Sequence, residues 1–286
     1  MKSRPDLSPS AAGLATPART GYRAMMSIRR PLALAAIVLA VPSVPASAQE
    51  RDDRPRRTRV ALGPALQPRF PGSDKVTLRP FVDLSRARGD EPFVFEAPDE
   101  SAAIGLINAE GFSAGPSLAF QGSRRRRDTE GLLPRVGSTV EVGGFAQFQL
   151  TPSFRLRAEA RRGIGGHEGL IGEVGGDFVV RDGDAWLVSI GPRVTLTNGR
   201  YQRAYFGVRP GDAAPAGLPA FRPDGGLQSV GATVGALRQL TRRWGVTGFV
   251  RYDRLVEDAG DSPVVRRFGS RDQFSGGLAA TYTFGG

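Results

Sequence analysis

The chain has no cysteine and one histidine among 286 residues. Beyond its first fifty residues it has no apolar run long enough for a membrane helix and no convincing 3.6-residue periodicity. Without cysteine there can be no disulfide framework, thiol nucleophile or thiolate-bound metal. The lone His167 leaves little room for an imidazole metal cluster or a histidine general base, so neither metal nor cofactor is expected. His167 lies in "RGIGGHEGL" (162–170). That glycine run is no phosphate cradle, because Glu168 stands where G-x-G-x-x-G needs its last glycine and no helix pattern follows. A Ser-His-Asp site could recruit His167, but serine and aspartate are abundant enough for chance proximity, and no catalytic constellation is assigned. The formal net charge is +11. Its basic residues do not share a face with stacking aromatics, which argues against nucleic acid.

Part of that charge sits in a leader. Residues 1–48 hold six cations (Lys2, Arg4, Arg19, Arg23, Arg29, Arg30) against Asp6, a net +5, which leaves +6 for the rest. Arg29 and Arg30 precede an apolar run from Pro31 to Val44 and then Ala46-Ser47-Ala48. This is the layout of a signal peptide cleaved after Ala48. The run is shorter than the roughly 20 residues of a membrane-spanning helix. Residues 1–24 read as low-complexity sequence upstream of a start at Met25 or Met26. The mature chain then begins with a mobile periplasmic tail, 49–57, and continues as one domain, 58–286. The basic stretch "RDDRPRRTR" (51–59) is read first as a solvated leader and second as an electrostatic contact for acidic partners.

Alternation of apolar and polar residues recurs throughout that domain, as in strands with two unlike faces. Val136, Val140, Val142, Phe148 and Leu150 alternate with Thr139, Glu141, Gln147 and Gln149. After Thr151-Pro152-Ser153 the parity resumes, with Phe154, Leu156 and Ala158 against Arg155, Arg157 and Glu159. These strands are about 10–15 residues long, longer than the usual 5–6 of soluble sheets and enough for a tilted bilayer crossing of roughly 9–11. Their polar face carries Glu and Arg in mid-strand, and tight connections (151–153, 182–184, 241–243) alternate with long ones (122–134, 198–227, 257–271). The pattern is that of an all-β antiparallel transmembrane barrel with short periplasmic turns and long outer loops. Runs at 59–66, 76–84, 93–97, 102–108, 112–121, 135–150, 154–163, 170–181, 185–197, 228–240, 244–256 and 272–284 give twelve strands. Ten is the alternative.

Several residue sets acquire roles in this frame. Phe154, Trp186 and Trp244 follow tight turns and, with Phe284, form an expected aromatic girdle at the periplasmic interface. Phe274, Leu278, Ala280, Tyr282 and Phe284 give the last strand an apolar face, which resembles the signal by which bacterial outer-membrane barrels are recognised for assembly. Gly285 and Gly286 after the phenylalanine depart from that pattern. Six arginines point inward (Arg79, Arg155, Arg157, Arg161, Arg193, Arg251), as do six acids (Asp83, Glu141, Glu159, Glu173, Asp177, Asp253). The balance favours mutual neutralisation across strands over a pore whose arginine rows attract anions. Barrel width does not decide between them. In a long outer loop, Arg124, Arg125, Arg126 and Arg127 form a tetrad suited to lipopolysaccharide phosphate. A solvated charged loop is the plainer reading.

"LQPRFPGSDK" (66–75), "GFSAGPSL" (111–118), "YFGVRP" (205–210), "AGLPAF" (216–221) and "GDSPVVRRFGSRDQFSGGLAATYTF" (260–284) together resemble the MipA/OmpV family over residues 58–284. The resemblance implies an outer-membrane barrel of a Gram-negative bacterium, in contact with membrane lipid. It implies a non-enzymatic scaffold for murein-remodelling enzymes, with a murein lytic transglycosylase and a bifunctional penicillin-binding protein as partners. Other members are described as pore-forming or adhesive, so a small-solute pore, favouring anions, is the alternative. Adhesion has no residue-level support.

Overall fold

The computed structural model describes residues 54–285. The expected leader, the segment upstream of it and most of the predicted tail lie outside them. Ten long strands form the wall: β1 (Arg56–Pro68), β2 (Val76–Arg88), β5 (Phe112–Gln121), β6 (Thr139–Thr151), β7 (Phe154–Ile164), β8 (Leu170–Asp182), β9 (Trp186–Thr197), β10 (Gly226–Gln239), β11 (Trp244–Leu255) and β12 (Asp272–Phe284). Two short strands, β3 (Ala102–Ala103) and β4 (Ile107–Ala109), pair with β5. The twelve strands make one antiparallel sheet that curls into a barrel, in the order β2-β1-β12-β11-β10-β9-β8-β7-β6-β5-β3, with β4 also on β5.

The count of twelve is reached by a different membership. The run at 93–97 is not a strand, and the expected strand at 102–108 is the broken pair β3 and β4. Strand β1 starts at Arg56, so the last residues of the expected tail belong to the wall.

Each strand of the curled sheet has one face for hydrocarbon and one for the lumen. Along β7 the outward residues Phe154, Leu156 and Ile164 are exposed, while Arg155, Arg157, Glu159 and Arg161 are buried. The same inversion runs through β9 and β12, where Val188, Ile190, Phe274 and Leu278 face outward and Ser189, Arg193, Gln273 and Thr281 face inward. Such a barrel has polar contents and an apolar exterior, the reverse of a soluble sheet. The inward face also holds a small apolar cluster that the alternation did not reveal, Ala61, Phe81 and Ala279 with Phe249 against them.

Curvature brings some backbones very close. A Cβ on inward-facing Gly191 of β9 would lie 1.7 Å from the carbonyl oxygen of Gly176 in β8. Glycine inside a strand marks such close approaches and the tight bends of barrels. Backbone cannot swing aside as a side chain can, so Gly191→Ala should destabilise the barrel by about 1–3 kcal/mol. Gly211→Ala, where an added Cβ meets nothing within 4 Å, should leave the urea unfolding midpoint unchanged in the same detergent.

One end of the barrel carries the tight connections and both ends of the strand series, with Thr58 paired to Phe284. The other end carries the long loops, which are folded. They contain α1 (Gly199–Tyr205), α2 (Pro210–Ala216), α3 (Glu257–Asp261) and α4 (Pro263–Phe268). The Asn198 side chain caps α1 and Ser262 caps α4. Tyr201, Tyr205, Phe206, Phe70, Leu255 and Val265, drawn from separate loops and strand ends, pack into a buried cluster. A second cluster joins Leu133, Val208, Val264 and Phe268. The loops therefore form a cap with its own core.

Candidate functional site

The most distinctive feature is a segment inside the barrel. Strand β2 ends at the tight-turn end of the barrel, where Gly89 has φ +51°. That left-handed conformation is costly for other residues, and it turns the chain back toward the lumen. Residues 91–101, "EPFVFEAPDES", then run through the interior, and 91–97 make no ladder pairing. Pro92 and Pro98 each lack a backbone donor. Side chains of the wall hold the segment instead.

At its entry, Phe93 is buried between two cations. The guanidinium carbons of Arg57 and Arg59 lie 5.0 and 4.3 Å from its ring centre. The Phe93 N–H donates to Asp184 at 3.0 Å, and Arg181 donates to its carbonyl at 2.8 Å. Arg57 also pairs with Asp184 at 3.1 Å. Deeper in, Arg155 lies 4.7 Å from the Phe95 ring and donates to the Phe95 carbonyl. Asp99 then accepts from Arg193 at 2.8 Å, Arg251 at 3.1 Å and Thr233 at 2.7 Å. Glu100 pairs with Arg155, and with Arg157 at 3.7 Å. Ser101 donates to Glu159.

The segment plugs into a wall network that is already paired. Arg155 meets Asp177 at 2.6 Å, and Arg193 meets the same carboxylate at 2.8 Å. Arg157 meets Glu159 at 3.1 Å. Arg161 bridges three acids, Glu141 at 3.0 Å, Glu159 at 2.7 Å and Glu173 at 2.6 Å. Arg251 meets Asp253 at 2.6 Å and Glu173 at 3.4 Å. Each of these buried guanidinium groups is ion-paired to at least one carboxylate, since an unpaired buried charge is expensive.

Ten of the twelve inward charges named from sequence thus share one network. Arg79 and Asp83 stand apart, without an ion-pair partner among the described residues. Arg79 lies 5.4 Å from the Phe120 ring, and Asp83 accepts from Ser85 at 3.1 Å. Sequence reasoning missed Asp99, Glu100, Arg57 and Arg59. A signal for the segment was present: a five-residue run bracketed by prolines is too short for a bilayer crossing.

The arginine tetrad does not act as a unit, which corrects the expectation for Arg124. This residue is buried, donating to the Tyr205 carbonyl at 2.7 Å and the Pro134 carbonyl at 3.1 Å. Burial pushes its guanidinium down to about 10. It holds the cap together and is out of reach of lipid. Arg125, Arg126 and Arg127 remain exposed around a 3-10 turn, where Asp128 accepts from the Arg125 N–H at 2.7 Å.

His167 is enclosed. It lies 3.1 Å from Glu141 through Nε2, accepts from the Gly169 N–H at 3.0 Å through Nδ1, and packs edge-on against Tyr201. Burial raises the Tyr201 hydroxyl well above its ordinary range and raises that of Tyr205 as well. Both residues belong to α1 and to the buried core of the cap.

At the opposite end, Phe154, Trp186 and Trp244 are the first residues of their strands and Phe284 the last of β12. Trp244 contacts Tyr282 at 4.8 Å between ring centres, and Tyr282 contacts Phe284 at 4.6 Å. Phe274, Leu278, Ala280 and Phe284 are exposed on the outer face of β12 and Tyr282 partly so.

The profile of the family described as "MltA-interacting protein MipA" matches residues 60–284. No curated protein sequence matches the chain. Solved structures with a similar course include the COG4313 outer membrane channel from Pseudomonas putida F1, at 9% identity and TM-score 0.36 over 81% of this chain and 96% of that one. OprG from Pseudomonas aeruginosa aligns at 9% identity and TM-score 0.25 over 81% and 97% of the two chains. The outer membrane protease OmpT from Escherichia coli aligns at 11% identity and TM-score 0.25 over 84% and 99%.

Proposed function

We propose that this chain, which belongs to the MltA-interacting protein MipA family, is a barrel obstructed by its own internal segment and serves as a scaffold for murein-remodelling enzymes. The protein is an outer-membrane β-barrel. In our reading, residues 25–48 direct its export, and the tight-turn end faces the periplasm and presents the docking surface. A murein lytic transglycosylase and a bifunctional penicillin-binding protein are the partners we assign to it. Arg125, Arg126 and Arg127 are the residues we assign to lipopolysaccharide phosphate.

The observation that carries the scaffold reading is the internal segment that obstructs the lumen. Residues 91–101 occupy the interior and are held there by wall arginines. A binding platform needs rigidity and has no use for an open conduit. The competing reading, a small-solute pore, requires this segment to leave. An anion preference has little support, since Arg155, Arg157, Arg161, Arg193 and Arg251 are each held by carboxylates. A non-enzymatic role agrees with His167, whose two ring nitrogens are both engaged.

The test uses the purified barrel in detergent, immobilised and exposed to a purified murein lytic transglycosylase and a bifunctional penicillin-binding protein. Retention of either enzyme is expected, together with silence in planar bilayers. Salt-proportional current steps from the parent protein, with neither enzyme retained, would reverse the assignment in favour of a pore.

A further inference from the structure

The wall has a seam. The ladder order ends at β2 on one side and at β3 on the other, and no pairing joins β2 to β3, β4 or β5 among the described residues. Strand β2 pairs along its whole length with β1, from Arg56–Arg88 to Pro68–Val76. Its other edge therefore has no partner strand. On the facing side, β3 and β4 cover β5 only as far as Leu118, and Ala119 to Gln121 pair with β6 alone. Backbone groups at an unpaired edge cannot face hydrocarbon unsatisfied.

A cavity of about 1230 Å³ lies at this seam. Its lining includes residues of both parities. Val82, Leu118 and Phe120 belong to the outward, lipid-facing rows, while Glu141, Arg161 and Arg251 face the lumen. A space bounded by both faces of one sheet passes through that sheet. Toward the cap it is bounded by Tyr201 and Leu255, and toward the other end by Ala97 to Ser101 of the internal segment. Its rim is continuous with the lipid-facing band.

Arg79 stands at this opening. It is the fourth residue of β2 from the loop end, so it sits roughly 10 Å in from that end at about 3.3 Å per residue. Its guanidinium lies over Phe120, across the seam on β5, and its Nε is buried with no hydrogen-bond partner. Every other inward arginine of the expected set is ion-paired. An unpaired cation beside an apolar rim, near the membrane surface, suits an amphiphile with an anionic head.

We propose that bilayer lipid with an anionic phosphate headgroup enters the wall between β2 and β5, its phosphate on Arg79 and its acyl chain over Val82, Leu118 and Phe120 into the cavity. This site is independent of the scaffold role. Bound lipid shields the strand edges that no ladder covers, and binding makes the barrel sensitive to the lipid around it.

The parent chain has no cysteine, so one introduced thiol is labelled uniquely. A bimane dye is placed on Ala119→Cys, an inward-facing position lining the cavity, or on Val188→Cys, which faces lipid on β9 outside the cavity lining. The labelled full-length barrels are reconstituted in vesicles containing brominated phosphatidylglycerol or brominated phosphatidylcholine, and each is first checked for heat-modifiable mobility. The dye at 188 should be quenched equally by both lipids. The dye at 119 should be quenched at least about twofold more by phosphatidylglycerol. Arg79→Gln should abolish that preference and Arg79→Lys should keep it. Two results would overturn the proposal: no quenching at 119 when 188 is quenched, or equal quenching at 119 by both lipids. The comparison of lipids on Ala119→Cys alone decides the matter if an Arg79 variant fails to fold.

Discussion

With Asp99→Asn and Glu100→Gln combined, residues 91–101 leave the lumen, and a glutamyl endopeptidase cuts the chain after Glu96 where the parent resists. The expectation follows from how the charges are shared. Five wall arginines (155, 157, 161, 193 and 251) are matched by five wall acids (Glu141, Glu159, Glu173, Asp177 and Asp253), all within the pairings of the barrel itself. Asp99 and Glu100 add two further carboxylates from the segment. Removing their charge leaves the wall with its own balance of five against five, so the barrel survives. The segment, in contrast, loses its ionic hold deep in the barrel. Hydrogen bonds to charged groups contribute about 1.5–3 kcal/mol each, and every 1.4 kcal/mol is a factor of about ten in occupancy. Loss of several such bonds should raise the cleavage rate by more than about tenfold. Heat-modifiable mobility of the variant shows that the wall has stayed folded. Should the variant resist the protease as the parent does, the hold on the segment is not ionic.

The second large effect is on stability. Arg155 is fully buried and joins β7, β8 and the segment through Asp177, Glu100 and the Phe95 carbonyl. Arg155→Met keeps much of the volume but takes the guanidinium from the buried Asp177 carboxylate and the largely buried Glu100 carboxylate. Breaking a buried pair from one side costs about 3–5 kcal/mol. The urea unfolding midpoint in detergent should fall accordingly. Arg200→Ala removes an ion pair with Glu168 in which both side chains are more than half exposed, and should leave the midpoint in place. Equal midpoints for the two variants would show that the inner network does not stabilise the barrel.

Much of the wall was legible because hydrocarbon and lumen impose opposite demands on successive residues. Phe154 against Arg155 or Val188 against Ser189 needs no knowledge of neighbours. The internal segment was not legible in the same way. "FVFEA" has the composition of a strand, and what keeps it from being one is the absence of a partner edge, a property of the whole barrel. The cap was illegible for a different reason. Its helices span five to seven residues, less than two turns or barely two, so no periodicity accumulates. Their burial depends on residues brought together from distant loops. The arginine tetrad misled because a run of like residues gives no sign of which member points inward. Arg124 makes an isolated bridge to Val136 and turns under the cap, whereas the next three residues belong to a turn on the surface.

The internal segment also bears on how the barrel is made. Its residues leave β2 early in the chain, yet Asp99 meets Arg193, Thr233 and Arg251, which come 94, 134 and 152 positions later. Asp99 cannot be neutralised until those later strands have wrapped around it. The segment is in effect a mandrel, and rolling the sheet and filling it become a single event. Contacts of such long sequence separation make assembly slow, and a half-rolled intermediate would leave the Asp99 carboxylate without the partners that the later strands supply.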